Sequence, residues 1–125
     1  HAVEASRTPA RALPSAAFLA NAVPGSGHLT HMPSHIYIRT GRYHEGVLAN
    51  QRSVSVDSGY TAKCHAEGIY PIGYFPHNIH FVSACATFTG QKRLAWSSAL
   101  DLRAHLAGDL MHLPDDTTLR TLVAP

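Results

Sequence analysis

The chain has 125 residues, of which 45% are hydrophobic and 14% charged, and its formal net charge is +2. This composition is too apolar for a disordered chain, and too often interrupted by charge, histidine, glycine and proline for a membrane span. Lysine and arginine are scattered, with Lys92 and Arg93 the one adjacent pair, and they form no basic stripe of the kind that favours nucleic acid. We therefore expect one soluble globular domain over residues 1–125, with no nucleic-acid and no membrane partner.

The first predicted element is a truncated helix pair over residues 1–26. An offset of 34 residues (35 minus 1) places His1 on His35 and Ala12 on Gly46. The start lacks both a signal-peptide pattern and an initiator methionine, so we interpret the chain as a processed or excised piece whose first helix is cut at the front. The uncapped end of such a repeat favours assembly into a homo-oligomer.

The second predicted helix pair spans residues 27–58 and has the clearest helical periodicity. Apolar side chains recur along one face of YHEGVLANQRSVSVD, residues 43–57. Gly41 is typical of a helix C-terminus and ends a preceding helix over residues 28–40. Pro33 removes a backbone donor, so that preceding helix should be irregular near Pro33.

An insertion over residues 59–75 precedes the third predicted pair, residues 76–107. Gly90 repeats Gly41 at an offset of 49 (90 minus 41), about 15 residues longer than the first offset. The first half of the insertion predicts a short extra helix, and a loop over one face of the protein follows. The turn-forming residues that predict this loop are Gly68, Pro71, Gly73 and Pro76. Residues 108–125 predict a C-terminal cap or a tail.

The stretch GHLTHMPSHIYIRTGRYHEGVLANQRSVSVD resembles a tetratricopeptide repeat. The positions that carry the resemblance are the small residue, the tyrosine and the turn of that motif, here Ser34, Tyr37, Gly41, Tyr43 and Gly46. Thr30 and Pro33 depart from the consensus of its first helix. The stretches HMPSHIYIRTGRY and PHNIHF are also similar to a group of bacterial proteins of this type.

The resemblance implies an all-α fold in which antiparallel helix pairs stack as a short solenoid of about two and a half repeats. The inserted segment would lie between the last two pairs. It also implies that the first helix of each pair lines a concave groove, in which a peptide or a small molecule would bind.

Histidine is the unusual residue of this chain, with ten copies. Several recur at the spacing of one helical face, i, i+3 and i+7. If the first helices line the groove, seven side chains converge there as potential ligands: His1, Glu4, His28, His31, His35, His77 and His80. Each histidine taken alone is more often a hydrogen-bonded packing residue than a ligand.

Neutral imidazole suits zinc, copper, iron and nickel, and helical proteins build metal sites from histidine and glutamate on facing helices. The sequence therefore predicts a transition metal in the groove, although it names no catalytic residue. Three protein ligands with an open position are typical of a metal-dependent enzyme, here acting on a small molecule, whereas a saturated site is structural. Ser34 and Asn78 stand beside histidines and can orient their rings.

Two alternatives remain open. In the first, a non-catalytic repeat module binds a peptide or small ligand, with Ser34, Tyr37, Tyr74 and Asn78 lining the groove. In the second, His1 is a mature N-terminus that holds copper.

Other titratable residues are assigned to surface or packing. His44, His105 and His112 are predicted to be solvated. Adjacent residues on a helix diverge, so Cys64 and His65 do not form a nucleophile and base pair. Cys85, within the small apolar run VSACATF, is predicted to be a buried thiol.

Overall fold

A computed structural model describes residues 1–64 and 70–109, and within these ranges the chain is helical with no strand. The elements are a 3₁₀ turn (Pro9–Ala12), α1 (Leu13–Ala22), α2 (Gly27–His31), α3 (Pro33–Arg39), α4 (Tyr43–Cys64), a π-helical turn (Tyr70–Tyr74), α5 (Phe75–Phe88) and α6 (Lys92–Asp109). The predicted all-α class is confirmed. No helix in the described part of the chain is both long and apolar enough to cross a membrane.

The helix predicted over residues 28–40 is divided into α2 and α3, as Pro33 led us to expect. Pro33 is the first residue of α3, where its missing N–H costs nothing. Met32 between the two helices keeps helical dihedral angles (φ −49°, ψ −36°), and its N–H donates to the carbonyl of His28. The histidines of α2 and α3 therefore remain close to one common face.

Glycines end the first helix of each hairpin with the same hydrogen-bonding pattern. Gly41 and Gly90 have φ of 75° and 70°. After Gly41, the N–H of Arg42 donates to the carbonyl of Tyr37 at 2.9 Å, and the equivalent bond after Gly90 is also 2.9 Å long. This is the Schellman arrangement, in which a left-handed residue returns the chain onto its own helix. The predicted turns are confirmed, and α3 packs on α4, α4 on α5 and α5 on α6.

The structure corrects the predicted insertion. Residues 59–64 of its first half are no separate helix, because α4 continues to Cys64. Pro71 and Gly73 belong to the π-helical turn, and Pro76 lies in the first turn of α5, where proline is tolerated. The loop predicted around these residues is therefore helical, while Gly68 lies outside the described residues.

The ends of the chain also differ from prediction. Residues 1–7 form turns rather than the end of a helix, with the N–H of Glu4 donating to the carbonyl of His1 at 2.9 Å. At the other end, α6 extends beyond residue 107 to Asp109, and the predicted cap or tail from residue 110 onward lies outside the described residues.

The apolar core is small, and it lies where α4 meets α5 and α6. Val47, Cys85 and Ala86 are its buried centre. A side chain at Gly46 would collide with the sulfur of Cys85, so the glycine allows the close approach of α4 and α5. Cys85 is fully buried, as predicted, and this burial raises the pKa of its thiol to about 11.

The interior between α2, α4 and α5 is polar instead of apolar. Its buried side chains are Thr30, His31, Ser34, Asn50, Ser53, Asp57 and Asn78. Burying polar groups is unfavourable unless they are hydrogen-bonded, so this part of the interior depends on specific pairing.

The turn glycines provide a test of the hairpin geometry. We expect Gly41→Ala to lower the free energy of unfolding by about 1–2 kcal/mol, because an L side chain is strained at positive φ. Gly59→Ala is the matched control, since Gly59 lies exposed within α4 with open space around it, and should raise stability by about 0.5–1 kcal/mol. Urea denaturation followed by circular dichroism measures both changes, and equal effects would contradict the turn geometry.

Candidate metal centre

His31, the last residue of α2, is fully buried, and Asn50 on α4 holds its ring. The His31 Nδ1 lies 2.6 Å from the Asn50 Oδ1. The Asn50 amide nitrogen donates to the carbonyl of Gly46 at 2.7 Å, which leaves Oδ1 as the acceptor. His31 therefore carries its proton on Nδ1, and its Nε2 presents a lone pair.

His35 on α3 is held in the same way, but by a carboxylate. Its Nδ1 donates to the Glu4 Oε1 at 2.8 Å. The turn that carries Glu4 is tied to α3 by Arg39, whose side chain donates to the backbone carbonyl of Glu4 at 3.2 Å. With Nδ1 as the donor, the Nε2 of His35 also presents a lone pair in the neutral ring.

These two ring nitrogens lie close together. The Nε2 atoms of His31 and His35 lie 2.9 Å apart. Two acceptors at this distance repel unless a proton or a metal cation lies between them. This pair is the central feature of the site.

His77 on α5 completes a group of three. The ligand nitrogens of His31, His35 and His77 all lie within 4.8 Å of one another. Phe81, one turn further along α5, packs against all three rings, with centroid distances of 4.9, 4.8 and 4.7 Å. The three imidazoles, which we call the histidine triad, therefore rest on one apolar ring.

Burial keeps two members of the triad neutral. It lowers the pKa of His31 to about 3, an effect that the bond to Asn50 partly opposes and the neighbouring histidines reinforce. Burial, followed by the proximity of His35, lowers the pKa of His77 to about 4. Both rings are unprotonated at neutral pH, which is the form that binds metals.

A second group of ligands adjoins the triad and shares His35 with it. His1, Glu4 and His35 offer ligand atoms that also lie within 4.8 Å of one another. Glu4 bridges the two imidazoles, because its Oε2 lies 2.8 Å from the Nδ1 of His1. The structure thus brings five of the seven predicted ligands into two overlapping groups.

The other two predicted ligands do not join either group. His80 is exposed, because α5 is oriented so that Ile79 and Val82 are buried. His28 lies beside His31, with ring centroids 6.2 Å apart, and its Nδ1 is buried with no hydrogen-bond partner among the described residues. Tyr74 covers the ring of His28 edge-on at 4.7 Å.

The four predicted lining residues have different positions. Ser34 is buried with its hydroxyl 3.3 Å from the Nδ1 of His31, so it contacts a ring as expected. Tyr74 is exposed beside His28. Tyr37 packs under the guanidinium of Arg42, away from the triad.

Asn78, the fourth of these residues, does not orient a histidine. Its amide nitrogen donates to the Ser53 hydroxyl and to the Asp57 carboxylate, both at 2.7 Å, and its Oδ1 has no partner in the described structure. Tyr70 donates to the other oxygen of Asp57 at 2.6 Å. Asn78 therefore belongs to a buried network that joins α4 to α5, and burial together with Asp57 raises the pKa of Tyr70 to about 12.

Three residues of the site were missed by the sequence reasoning: Asn50, Asp57 and Phe81. Asn50 fell within the helix over residues 43–57 and was considered only for its place in the helical periodicity. The signal that could have identified Asn50 is its polar side chain on the helical face that the apolar pattern predicts to be buried.

Of the histidines predicted to be solvated, His44 is exposed as predicted. Cys64, for which no exposure was predicted, is also exposed. His105 is not simply solvated, because its Nε2 lies 3.1 Å from the carbonyl of Pro71 and its ring packs against Phe75. His65 and His112 lie outside the described residues.

A cleft of about 610 Å³ lies between α4, α5 and α6, apart from the triad. Phe75, Ile79 and Val82 are among its lining residues, and helical geometry places them on a different side of α5 from His77. None of the metal ligands predicted from the sequence lines this cleft.

Comparison with protein-family models, with curated proteins and with solved structures found no match to this chain.

The bond between His31 and Asn50 provides a test of the site's internal support. We expect Asn50→Ala to lower the free energy of unfolding of EDTA-treated protein by about 1–3 kcal/mol, because it leaves the buried N–H of His31 without this acceptor. Gln51→Ala, at the exposed neighbouring position, should change stability by less than about 0.5 kcal/mol. Urea denaturation measures both, and a similar small effect at the two positions would show that Asn50 does not support His31.

Proposed function

We propose that this protein binds a first-row transition metal ion through the histidine triad. The observation that supports the proposal most directly is the pair of Nε2 atoms, 2.9 Å apart, on His31 and His35. Each ring has its Nδ1 proton committed to an oxygen acceptor, which is the usual arrangement of a metal-bound imidazole.

The ring positions also suit a single ion. The triad centroids are 4.7, 4.8 and 5.7 Å apart. Metal–nitrogen bonds of about 2.0–2.1 Å place imidazole centroids roughly 5 Å apart around a tetrahedral ion. The three rings therefore have close to the spacing that three ligands of one ion require.

The nitrogen atoms need only a small adjustment. Two nitrogens bound to one ion lie about 2.9 Å apart at a right angle and about 3.4 Å apart at the tetrahedral angle. The separation between His31 and His35 falls at the lower end of this range. Side-chain rotation of His77, which is only partly buried, can shorten any longer separation within the 4.8 Å limit.

The ligand type restricts the metal. Three neutral imidazoles suit zinc, copper, nickel and iron(II), whereas magnesium and calcium require oxygen ligands. Three protein ligands leave a coordination position for water or substrate, as in catalytic zinc sites. We therefore propose a metal-dependent enzyme acting on a small molecule as the function that this arrangement serves best.

We further propose that the scaffold is of the tetratricopeptide type. Two hairpins, α3 with α4 and α5 with α6, share the same glycine turn and pack through α4 and α5. His35 and His77 lie on the first helix of each hairpin, which is the position that the family resemblance assigns to the groove.

Metal titration of a matched pair of variants tests the proposal. EDTA-treated protein is dialysed against buffered Zn²⁺ and its metal content is measured by inductively coupled plasma mass spectrometry. We expect His77→Ala to bind one zinc ion fewer per chain than the wild type, because a triad ligand is lost. His80→Ala, on the same helix but outside both ligand groups, should retain the wild-type content.

Circular dichroism establishes that both variants are folded. Equal zinc content in the wild type and His77→Ala would refute the triad as the metal site. A folded wild-type protein that binds no zinc, copper, nickel or iron would favour the non-catalytic module that binds a peptide or small ligand.

A further inference from the structure

His35 belongs to both ligand groups and uses a different ring nitrogen in each. Its Nε2 faces His31 at 2.9 Å, and its Nδ1 faces the Glu4 carboxylate at 2.8 Å. The ring is only partly buried, and each of its two nitrogens faces a different ligand group. An imidazole in this position can bind one ion through each nitrogen once its N–H proton has been displaced.

The geometry points to a second metal ion, held by His1, Glu4 and the Nδ1 of His35. We propose that the imidazole of His35 bridges this ion and the ion of the triad, which makes the centre dinuclear. The inference rests on the proposed function, since the bridge requires an ion in the triad.

The ring spacing in the second group matches that in the first. The centroids of His1 and His35 lie 4.7 Å apart and the rings meet edge to face, at an interplanar angle of 69°. The rings of His31 and His35 have the same 4.7 Å separation and an angle of 85°. Both pairs thus have the spacing expected of two imidazoles on one ion, about 5 Å.

Glu4 supplies the negative charge that a second cation needs. Its two oxygens each lie 2.8 Å from a ring nitrogen, one on His1 and one on His35. The side chain is about one quarter exposed, so it is accessible to an ion from solvent. Carboxylate together with imidazole suits zinc and copper, the ions that also fit the triad.

The binding step is a proton exchange. The second ion forms a bond to the Nδ1 of His35, the N–H bond there breaks, and the proton leaves to solvent. Each metal–nitrogen bond is about 2.0–2.1 Å long, so the two ions would be roughly 6 Å apart across the ring. No oxidation or reduction takes place in this step.

The number of metal ions bound per chain distinguishes the two sites. Metal-stripped protein is dialysed against Zn²⁺, and the bound metal is counted per chain. We expect two ions in the wild type and in His80→Ala. One ion should remain in Glu4→Ala, which loses the second position, and one in His77→Ala, which loses the first. The double variant Glu4→Ala/His77→Ala should bind none.

Copper provides a readout of the bridge itself. Two Cu²⁺ ions joined by one imidazolate are magnetically coupled, so the electron paramagnetic resonance signal of the wild type should integrate to clearly fewer than two spins per chain. Glu4→Ala, with one copper, should integrate to one full spin. Circular dichroism shows that each variant is folded.

The possible failures are distinct. One ion in the wild type, lost in His77→Ala, would overturn the second site and leave the proposed function standing. This holds even if Glu4→Ala binds that ion more weakly, because Glu4 would then only orient His35. Two ions with two full, uncoupled spins would overturn the bridge. No ion at all would overturn both proposals.

Discussion

The burial of His31 is the constraint on which the rest of this structure depends. An imidazole removed from water must have its N–H satisfied, and Asn50 on α4 does this at 2.6 Å. That bond fixes the register between α2 and α4. It also fixes the orientation of the His31 imidazole plane. With Nδ1 committed, Nε2 faces His35, so a packing requirement brings the two ring nitrogens together.

The same principle extends through the interior between the helices. Ser53 donates to the carbonyl of Gly27 at 2.7 Å, and the nearby Asp57 is 1% exposed between Tyr70 and Asn78. Apolar packing tolerates small shifts, whereas hydrogen bonds of this length do not. The polar network therefore positions α2, α4 and α5 more narrowly than the small apolar core could. A metal site benefits from such a rigid support, because its ligands must be held close to their final geometry.

The candidate ligands differ in their degree of exposure. His31 is fully buried, His35 and His77 are partly buried, and His1 is exposed. The site thus has a closed side formed by α2 and α4 and an accessible side at the first turn of the chain. In the proposed function, this gradient would give an incoming ion a route that leaves the buried bond between His31 and Asn50 in place.

The sequence alone determined the local features of this protein. The division of the helix at Pro33, the turns at Gly41 and Gly90, and the alignment of His31 with His35 all follow from the backbone preferences of a few neighbouring residues. These features depend on helical periodicity and on the steric limits of proline and glycine, which act within one or two turns.

Only the tertiary structure decided which of the histidines meet. Asn50 reaches His31 across 19 residues, and Glu4 reaches His35 across 31. Neither pairing follows from local spacing, because it depends on how helices rotate and pack against one another. His80 was excluded for the same reason: the burial of Ile79 and Val82 sets the rotation of α5 and leaves His80 in solvent, although its spacing from His77 repeats that of His28 and His31. Helical spacing selects a face, but the packing of apolar neighbours decides which residues of that face point toward the site.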